Sequence, residues 1–358
     1  MTRTHAVLLI AGCVVSLTAQ ERSTPTARLV TAPRLAFPGA VDSNTPLIRD
    51  LVEGEERVFA ITSFGGTPSL SVGESLERLP PASAVRFEPH PGHGVWMESV
   101  IPAEDGTWYG FYHHEQPAEE CARSDRFIPR LAAARSSDRG QTWEPLGIIL
   151  EMPSSTHACG SSNRFVLGGV GDVSVMLDAG NQDLYLFYSQ YVRDAGSQGV
   201  AVARLAWADR DQPTGRIAVW QDGAWIPARE QTTDNGEILL DYPVGTPLVR
   251  VSQPWHDRHA GADAYWGPAL HWNTYLEQYV MLVNRARDET FNTDGIYVAF
   301  APVLNDPGAW STPRKIASGG GWYAQVVGLD SDGTDRRAGQ RARFFQTGKS
   351  EFFIDFAK

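Results

Sequence analysis

The sequence predicts an all-β fold, a five-bladed β-propeller whose ring is closed by an N-terminal strand joining the last blade. Three observations predict it. Short apolar runs rich in Val, Tyr, Phe and Leu alternate with turn-formers along the chain, the composition of strands. The runs fall into groups of about four, the layout of propeller blades, and five groups can be counted. The last group ends one strand short, while an apolar stretch near the N-terminus belongs to no group.

The clearest group starts at Gly171. It reads GDVSVMLD, LYLFYSQYV and GVAVARLAW, cut by turns at Asp178 to Asp183 and Asp194 to Gly199, and continues into IAVWQDGAWI. Several positions are apolar on both faces, as expected of a sheet packed between two others. The first group comprises VDSNTPLI (Val41 to Ile48), RVFAITSF, PSLSVGES and AVRFEP. The second begins GVWMESVI at Gly94 and continues through TWYGFYHHE, RLAAARSS and WEPLGIIL. The fourth begins AYWGPALHW at Ala264, then QYVMLVNRA, GIYVAFAP and WSTPRKI. The fifth begins GWYAQVVGL at Gly321, then RARFFQTG and EFFIDFA. Ala27 to Phe37 is the expected missing outer strand, which would remove an open edge. No long helix is called for, and residues 27–358 are expected to form one domain.

Ahead of that domain, Arg3 and His5 precede the apolar run Ala6 to Val15, and Leu17-Thr18-Ala19 offers a cleavage site. Residues 1–19 therefore read as an export signal rather than a span, and the mature chain as periplasmic or extracellular. Ile10-Ala11-Gly12-Cys13 also resembles a bacterial lipobox, which would leave a lipid anchor at Cys13. In either case Cys121 and Cys159 remain as an even pair in an oxidising compartment, and a disulfide between them is expected.

A formal charge of -11 argues against nucleic-acid or anionic-membrane partners. A carbohydrate suits the chain better, since its 11 Trp can supply faces for sugar rings, although packing between sheets is the plainer use of any one of them. Nothing in the mature chain is apolar for long enough to span a membrane.

Ser136-Ser137-Asp138-Arg139-Gly140-Gln141-Thr142-Trp143 fits the Asp-box pattern S-x-D-x-G-x-T-W. In that turn the Asp138 side chain accepts backbone N–H groups, Gly140 takes a left-handed dihedral and Trp143 packs under the sheet, with Ser136 at its head. It argues for a blade, not for chemistry.

Chemistry is expected where the first strands converge. Asp42 and Asn44 in the first group, Glu98 in the second, Asp172 in the third, Asp263 ahead of Trp266 in the fourth and Gln325 beside Trp322 in the fifth are polar residues in or beside apolar strands. Such groups are costly unless hydrated, paired or used. Each could simply bond neighbouring backbone and hold the hub. Carboxylates from three blades meeting in one funnel point instead to glycosidic cleavage, in which one carboxyl protonates the leaving oxygen and another activates water or attacks the anomeric carbon.

At D-x-N-T-P, W-x-E-S, G-D-x-S and W-G-P the chain resembles the five-bladed propeller glycosidases of glycoside hydrolase families 43, 62, 32 and 68 and the uncharacterised secreted proteins like them. The resemblance implies Asp42 as catalytic base or nucleophile, Asp172 as the carboxylate tuning the acid and Glu98 as general acid; inversion at the anomeric carbon is expected ahead of retention. In those families the acid Glu follows the second Asp in the chain, whereas Glu98 precedes Asp172. No cofactor is required by the resemblance, and a structural calcium ion in the channel, held by some families of this shape, is compatible with it. The Asp box is similar to that of sialidases, which are six-bladed and use an arginine cluster not evident here.

Trp96, Trp266 and Trp322 are expected to stack on sugar faces. His113-His114-Glu115, ending a second strand, could reach the funnel rim as hydroxyl ligands, but adjacent His on a strand point to opposite faces and make a poor metal site. His271 is a further channel candidate, with a hydrogen-bonded core role as the plainer reading. His256-Asp257 and His259 lie in a long connection that could wall the cleft. A non-catalytic carbohydrate-binding propeller would keep the Trp platforms and tolerate loss of the acids. A protein-interaction propeller would need neither.

Overall fold

A computed structural model describes residues 24–232, 238–256 and 262–358. The 1–19 signal, Cys13, Asp257 and His259 lie outside the described residues.

The described chain is nearly all β, arranged as a five-bladed propeller. Blade 1 has strands Leu47–Val52, Glu55–Phe64, Thr67–Gly73 and Ser83–Ala84, and blade 2 has Gly94–Pro102, Trp108–Ala118, Arg123–Ser136 and Thr142–Leu150. Blade 3 has Val170–Leu177, Asp183–Gln190, Gly199–Ala206, Ala218–Gln221 and Ala224–Pro227. Tyr265–Asn273, Gln278–Ala286, Thr293–Ala301 and Arg314–Ser318 build blade 4. Blade 5 runs Gln325–Gly328, Arg341–Gln346, Lys349–Ala357 and then Thr26–Ala36, which pairs antiparallel with Lys349–Ala357 from Thr26 opposite Ala357 to Ala36 opposite Lys349. The N-terminal strand thus supplies the outer strand that the C-terminus lacks. The only helical pieces among the described residues are short 3-10 turns.

Two details differ from the sequence reading. AVRFEP is not one strand: Ser83–Ala84 stays with blade 1, while Arg86–Phe87 crosses to pair in parallel with Thr142 and Trp143 of blade 2. A two-stranded hairpin, Arg229–Thr232 with Ile238–Asp241, also lies between blades 3 and 4. Its first strand, Arg229–Thr232, is exposed and polar and carries no apolar signal.

Because each sheet is covered on both faces, a separate apolar cluster fills each seam. Ile61, Met97 and Trp108 belong to the seam of blades 1 and 2, and Phe111, Val175 and Leu186 to that of blades 2 and 3. Phe187 and Met281 join blades 3 and 4, Leu282 and Phe344 blades 4 and 5, and Phe345 and Leu47 blades 5 and 1. This explains why the runs were apolar on both faces.

The turn Ser136–Trp143 joins the third and fourth strands of blade 2. Asp138 Oδ1 accepts from the Ser136 hydroxyl (2.8 Å) and from the Gln141 (3.1 Å) and Thr142 (2.9 Å) amides, and Trp143 Nε1 donates to the Gly140 carbonyl at 2.9 Å. Gly140 has φ of 83°. Trp143 is fully buried against Gly110, where a Cβ would lie only 2.7 Å from the indole and from Met97 Sδ. Trp143→Ala should therefore cost about 3–5 kcal/mol. Urea unfolding should show a lower midpoint; an unchanged midpoint would contradict this packing.

Serines stitch neighbouring blades together. Met97 N–H donates to Ser63 Oγ, Val175 N–H to Ser99 Oγ, and Leu270 N–H to Ser174 Oγ, each at 3.0 Å and each from one blade to the blade before it. Gln325 completes the circuit, accepting from Thr45 N–H at 2.6 Å and donating to its carbonyl at 2.9 Å.

Candidate active site

Each anchoring phrase on the inner strands of blades 2, 3 and 4 contains a β-bulge. The pairing slips between Met97 and Ser99, between Gly171 and Val173, and between Trp266 and Ala269. A bulge turns its extra residue out of the usual alternation, and the residues so displaced include Glu98 and Asp172. Asp172 has φ of 42°, in the left-handed region that a non-glycine residue occupies at a cost of about 1–3 kcal/mol. Phe291 (57°) and Tyr323 (54°) share that strain and line the same cavity.

The cavity has a volume of about 160 Å³ at the mouth of the ring. Asp42, Glu115 and Asp172 line it together with Trp96, Trp266 and Trp322. These come from blades 1, 2, 3, 4 and 5, so the ring gathers side chains remote in sequence. Asp42 sits just before the first strand of blade 1, its amide donating to the Ser63 carbonyl at 2.8 Å. Glu115 and His113 end the second strand of blade 2 on one face, two residues apart, and both line the cavity. His114 points the other way, its ring 5.8 Å from that of His93 and both its nitrogens without a partner.

Glu98 is not part of the lining. Its side chain is 0 % exposed, with Oε1 3.1 Å from His113 Nδ1 and Oε2 accepting the Val173 amide. The remaining candidates divide similarly. Asn44 donates to the Pro268 carbonyl at 2.8 Å, and Gln325 holds Thr45, so both serve the hub. Asp263 accepts from the Ser252 and Gln253 amides, tying down the connection before blade 4. His271 is buried beside Phe356, away from the cavity, and burial holds it down at about 3. His256 Nε2 lies 2.7 Å from the Tyr191 carbonyl, and neighbouring Trp255 packs on the Tyr191 ring, so this part of the long connection supports the cavity wall from behind.

Residues not singled out from the sequence complete the wall: Phe127, Phe165, Tyr191, Phe291 and Tyr323. Tyr191 just follows the second strand of blade 3, as Glu115 ends that of blade 2, and an equivalent-position argument would have found it. Phe127, near the start of the third strand of blade 2, and Phe165, on the connection to blade 3, lie on segments bridged at Phe127 and Val166 and stapled by the disulfide Cys121–Cys159 (Cα–Cα 5.0 Å). The bridge thus holds one side of the mouth.

The electrostatics separate the acids. Burial, then the charge of Asp172, raises Asp42 above the usual carboxylate range. Burial, then Glu98, pushes Asp172 to about 6, although the Tyr191 hydroxyl bonds to it. Glu115 rises furthest, to about 7, mainly by burial and against the pull of His113. Burial by itself would lower His113, but Glu98, by charge and hydrogen bond, together with the charges of Asp172 and Glu115 outweighs it and raises the imidazole to about 9.

These shifts act on stability in one sense above neutrality. Groups whose folded values are raised stabilise the fold at low pH and cease to do so as pH climbs through those values. His113 then contributes fully below its ordinary 6.5 and loses its contribution through about 9, a loss on the order of 3 kcal/mol. Glu115, raised from 4.5 to about 7, falls in the same direction. His114 and His271, both lowered, weaken the fold only as pH drops below 6.5. The melting temperature should fall between about pH 6.5 and 9.5. A flat or rising profile there would contradict it.

Ligand atoms of Glu98, His113 and Asp172 lie within 4.8 Å of one another, the one such cluster among the described residues. It does not suit calcium, which takes six to eight oxygens. Glu98 is already engaged by His113 and Val173, and Asp172 by Tyr191, so few lone pairs remain.

No family model and no curated protein matches the sequence. Among solved structures the chain is similar to an endo-arabinase from Bacteroides thetaiotaomicron, with a TM-score of 0.50 and 12% identity over 90% of this chain and 97% of that one. It is also similar to an exo-beta-1,3-galactanase from Phanerochaete chrysosporium with beta-1,3-galactotriose (0.49, 12%, 90% and 64%). A third is an alpha-L-arabinofuranosidase from Podospora anserina in complex with cellotriose (0.48, 11%, 94% and 98%). At such identity the likeness to the endo-arabinase shows the fold alone, in keeping with the five blades described above. Among the described residues no helix is long and apolar enough to cross a membrane.

Proposed function

We propose that the protein is an exported glycoside hydrolase whose reaction takes place in the Asp42–Glu115–Asp172 cavity. The observation that carries this reading is the convergence of three carboxyl groups with separated proton affinities on one aromatic-walled pocket. Pairs of acids pushed apart in this way divide into a proton donor and an ionised partner at one pH. Glu115, held protonated into the neutral range, is the general acid, a role the sequence had suggested for Glu98. Asp42, more exposed than Glu115, is the base that activates water, with inversion at the anomeric carbon. Asp172 beside them keeps the proton on Glu115 by repulsion.

A cavity of about 160 Å³ is close to the roughly 150 Å³ that admits a benzene ring, a size that limits the occupant to a single ring rather than several sugar units. Trp96, Trp266 and Trp322 offer faces for its C–H groups. The three carboxylates favour a neutral sugar over a uronate or sialate. Export is supported by the Cys121–Cys159 disulfide and by the signal-like residues 1–19.

The test is hydrolysis of aryl arabinosides, xylosides, fructosides and galactosides by the purified protein, with Asp42→Asn and Glu115→Gln alongside. Turnover of at least one by the wild type is expected, lost in Asp42→Asn and, for leaving groups that need a proton to depart, in Glu115→Gln, and the first-formed anomer by proton NMR should be inverted. Turnover of none, or equal turnover by all three proteins, would overturn the assignment and leave a carbohydrate-binding propeller as the reading.

A further inference from the structure

We propose that Glu98 and His113 are positioning residues for Glu115: Glu98 keeps a proton on His113, and the resulting imidazolium sets the pH range over which Glu115 can give up its proton. The inference rests on Glu115 being the acid, as argued above.

The geometry carries it. Both ring nitrogens of His113 face carboxylates, Nδ1 at 3.1 Å from Glu98 Oε1 and Nε2 at 3.8 Å from Glu115 Oε1. The Glu98 contact is a hydrogen bond, whereas the Glu115 oxygen stands beyond hydrogen-bond reach but at ion-pair distance, so the charged imidazole presents its positive charge to both carboxyl groups. Trp96 stacks on the ring with centroids 4.9 Å apart and planes 10° off parallel, fixing its orientation and favouring the cation. Glu98 in turn has no access to solvent, and its other oxygen is taken by the Val173 amide, so its charge is directed at His113. The three groups form one line, from the hub through the imidazole to the cavity wall.

Among the described residues, the groups whose charges act on Glu115 and His113 include no second cation. Glu115 is faced by His113 on its own strand, by Asp172 of blade 3 and by Asp42 of blade 1. His113 is faced by Glu98, Asp172 and Glu115. Tyr191 and Tyr323 stand over Asp172 as neutral hydroxyls, both held well above their ordinary range. His113 is the cation opposing this acidic set, and without it Glu115 would release its proton only at higher pH.

The experiment is carboxyl-carbon NMR of Glu-labelled full-length protein, following Glu115 through pH in the wild type, His113→Gln and Glu98→Gln. Glu115→Gln identifies the signal, and circular dichroism checks each fold. Glu98→Gln keeps a carbonyl for the Val173 amide and removes only the charge. Both variants should move the Glu115 midpoint upward by about 1 unit or more, the effect of losing a close opposite charge. In the wild type, the His113 ring should remain protonated past neutrality and titrate at about 9. An unmoved Glu115 midpoint in either folded variant, or a wild-type His113 already neutral at pH 7, would overturn the proposal. The wild-type measurement decides even where a variant fails to fold. None of these readouts needs turnover, so failure to cleave any glycoside would strike the assigned activity while leaving the coupling to stand or fall by itself.

Discussion

Asp42→Asn is expected to lower kcat/KM on a cleaved glycoside by about 10²- to 10⁴-fold, the usual contribution of a positioned base. Asn retains the size of the side chain and an oxygen that can accept from the Trp96 indole, which bonds to Asp42 in the wild type. The loop is held independently, through the backbone bond to Ser63 and the Asn44 contact with Pro268. The fold should therefore survive and the loss fall on kcat rather than KM. Azide, which attacks without needing a proton removed, should restore part of the rate. A variant that retained wild-type turnover would remove Asp42 from the reaction.

Glu115→Gln should show an equally large effect whose size depends on the leaving group. For a sugar or alkyl leaving group, loss of the acid should cost about 10²- to 10⁴-fold. A dinitrophenyl glycoside, whose phenolate departs without protonation, should be cleaved at close to the wild-type rate. Asp172→Asn offers a contrast, because Asp172 raises Glu115 without acting as the donor. It should shift the alkaline limit of activity downward instead of imposing leaving-group dependence. Equal losses with both leaving groups would mean that Glu115 positions substrate and donates nothing.

Much of this arrangement was legible in the residues. Apolar runs and their turns located the blades, because strands covered on both faces need apolar residues throughout, and the stranded segment Ala27 to Phe37 predicted the closure seen at Thr26–Ala36. The phrases around Glu98, Asp172 and Trp266 marked the inner strands. What they concealed was the bulge in each. Alternation places Trp96 and Glu98 on one face, two residues apart, yet the slip between Met97 and Ser99 leaves Trp96 in the cavity wall and turns Glu98 onto the Val173 amide. A bulge has no compositional signature when the inserted residue is not glycine.

The second limit was distance along the chain. Glu115 and Tyr191 stand at the far ends of second strands, which antiparallel pairing returns to the same mouth as the starts of the first strands. Phe127 reaches it from the third strand of blade 2 and Phe165 from the connection to blade 3, two segments tied together by the Cys121–Cys159 bridge. A local pattern carries neither fact. The Glu98–His113 contact is similar: residues 15 apart in sequence meet because the register sets Trp96 opposite His113.

The most direct test of the central claim is the pH dependence of kcat/KM for a dinitrophenyl glycoside beside an alkyl glycoside of the same sugar, in the wild type and Glu115→Gln. The wild type should lose activity on the alkyl glycoside above about pH 7, where Glu115 gives up its proton, and the variant acting on the dinitrophenyl substrate should show no such decline. Persistence of the same alkaline limb in Glu115→Gln would place the acid elsewhere and contradict the account.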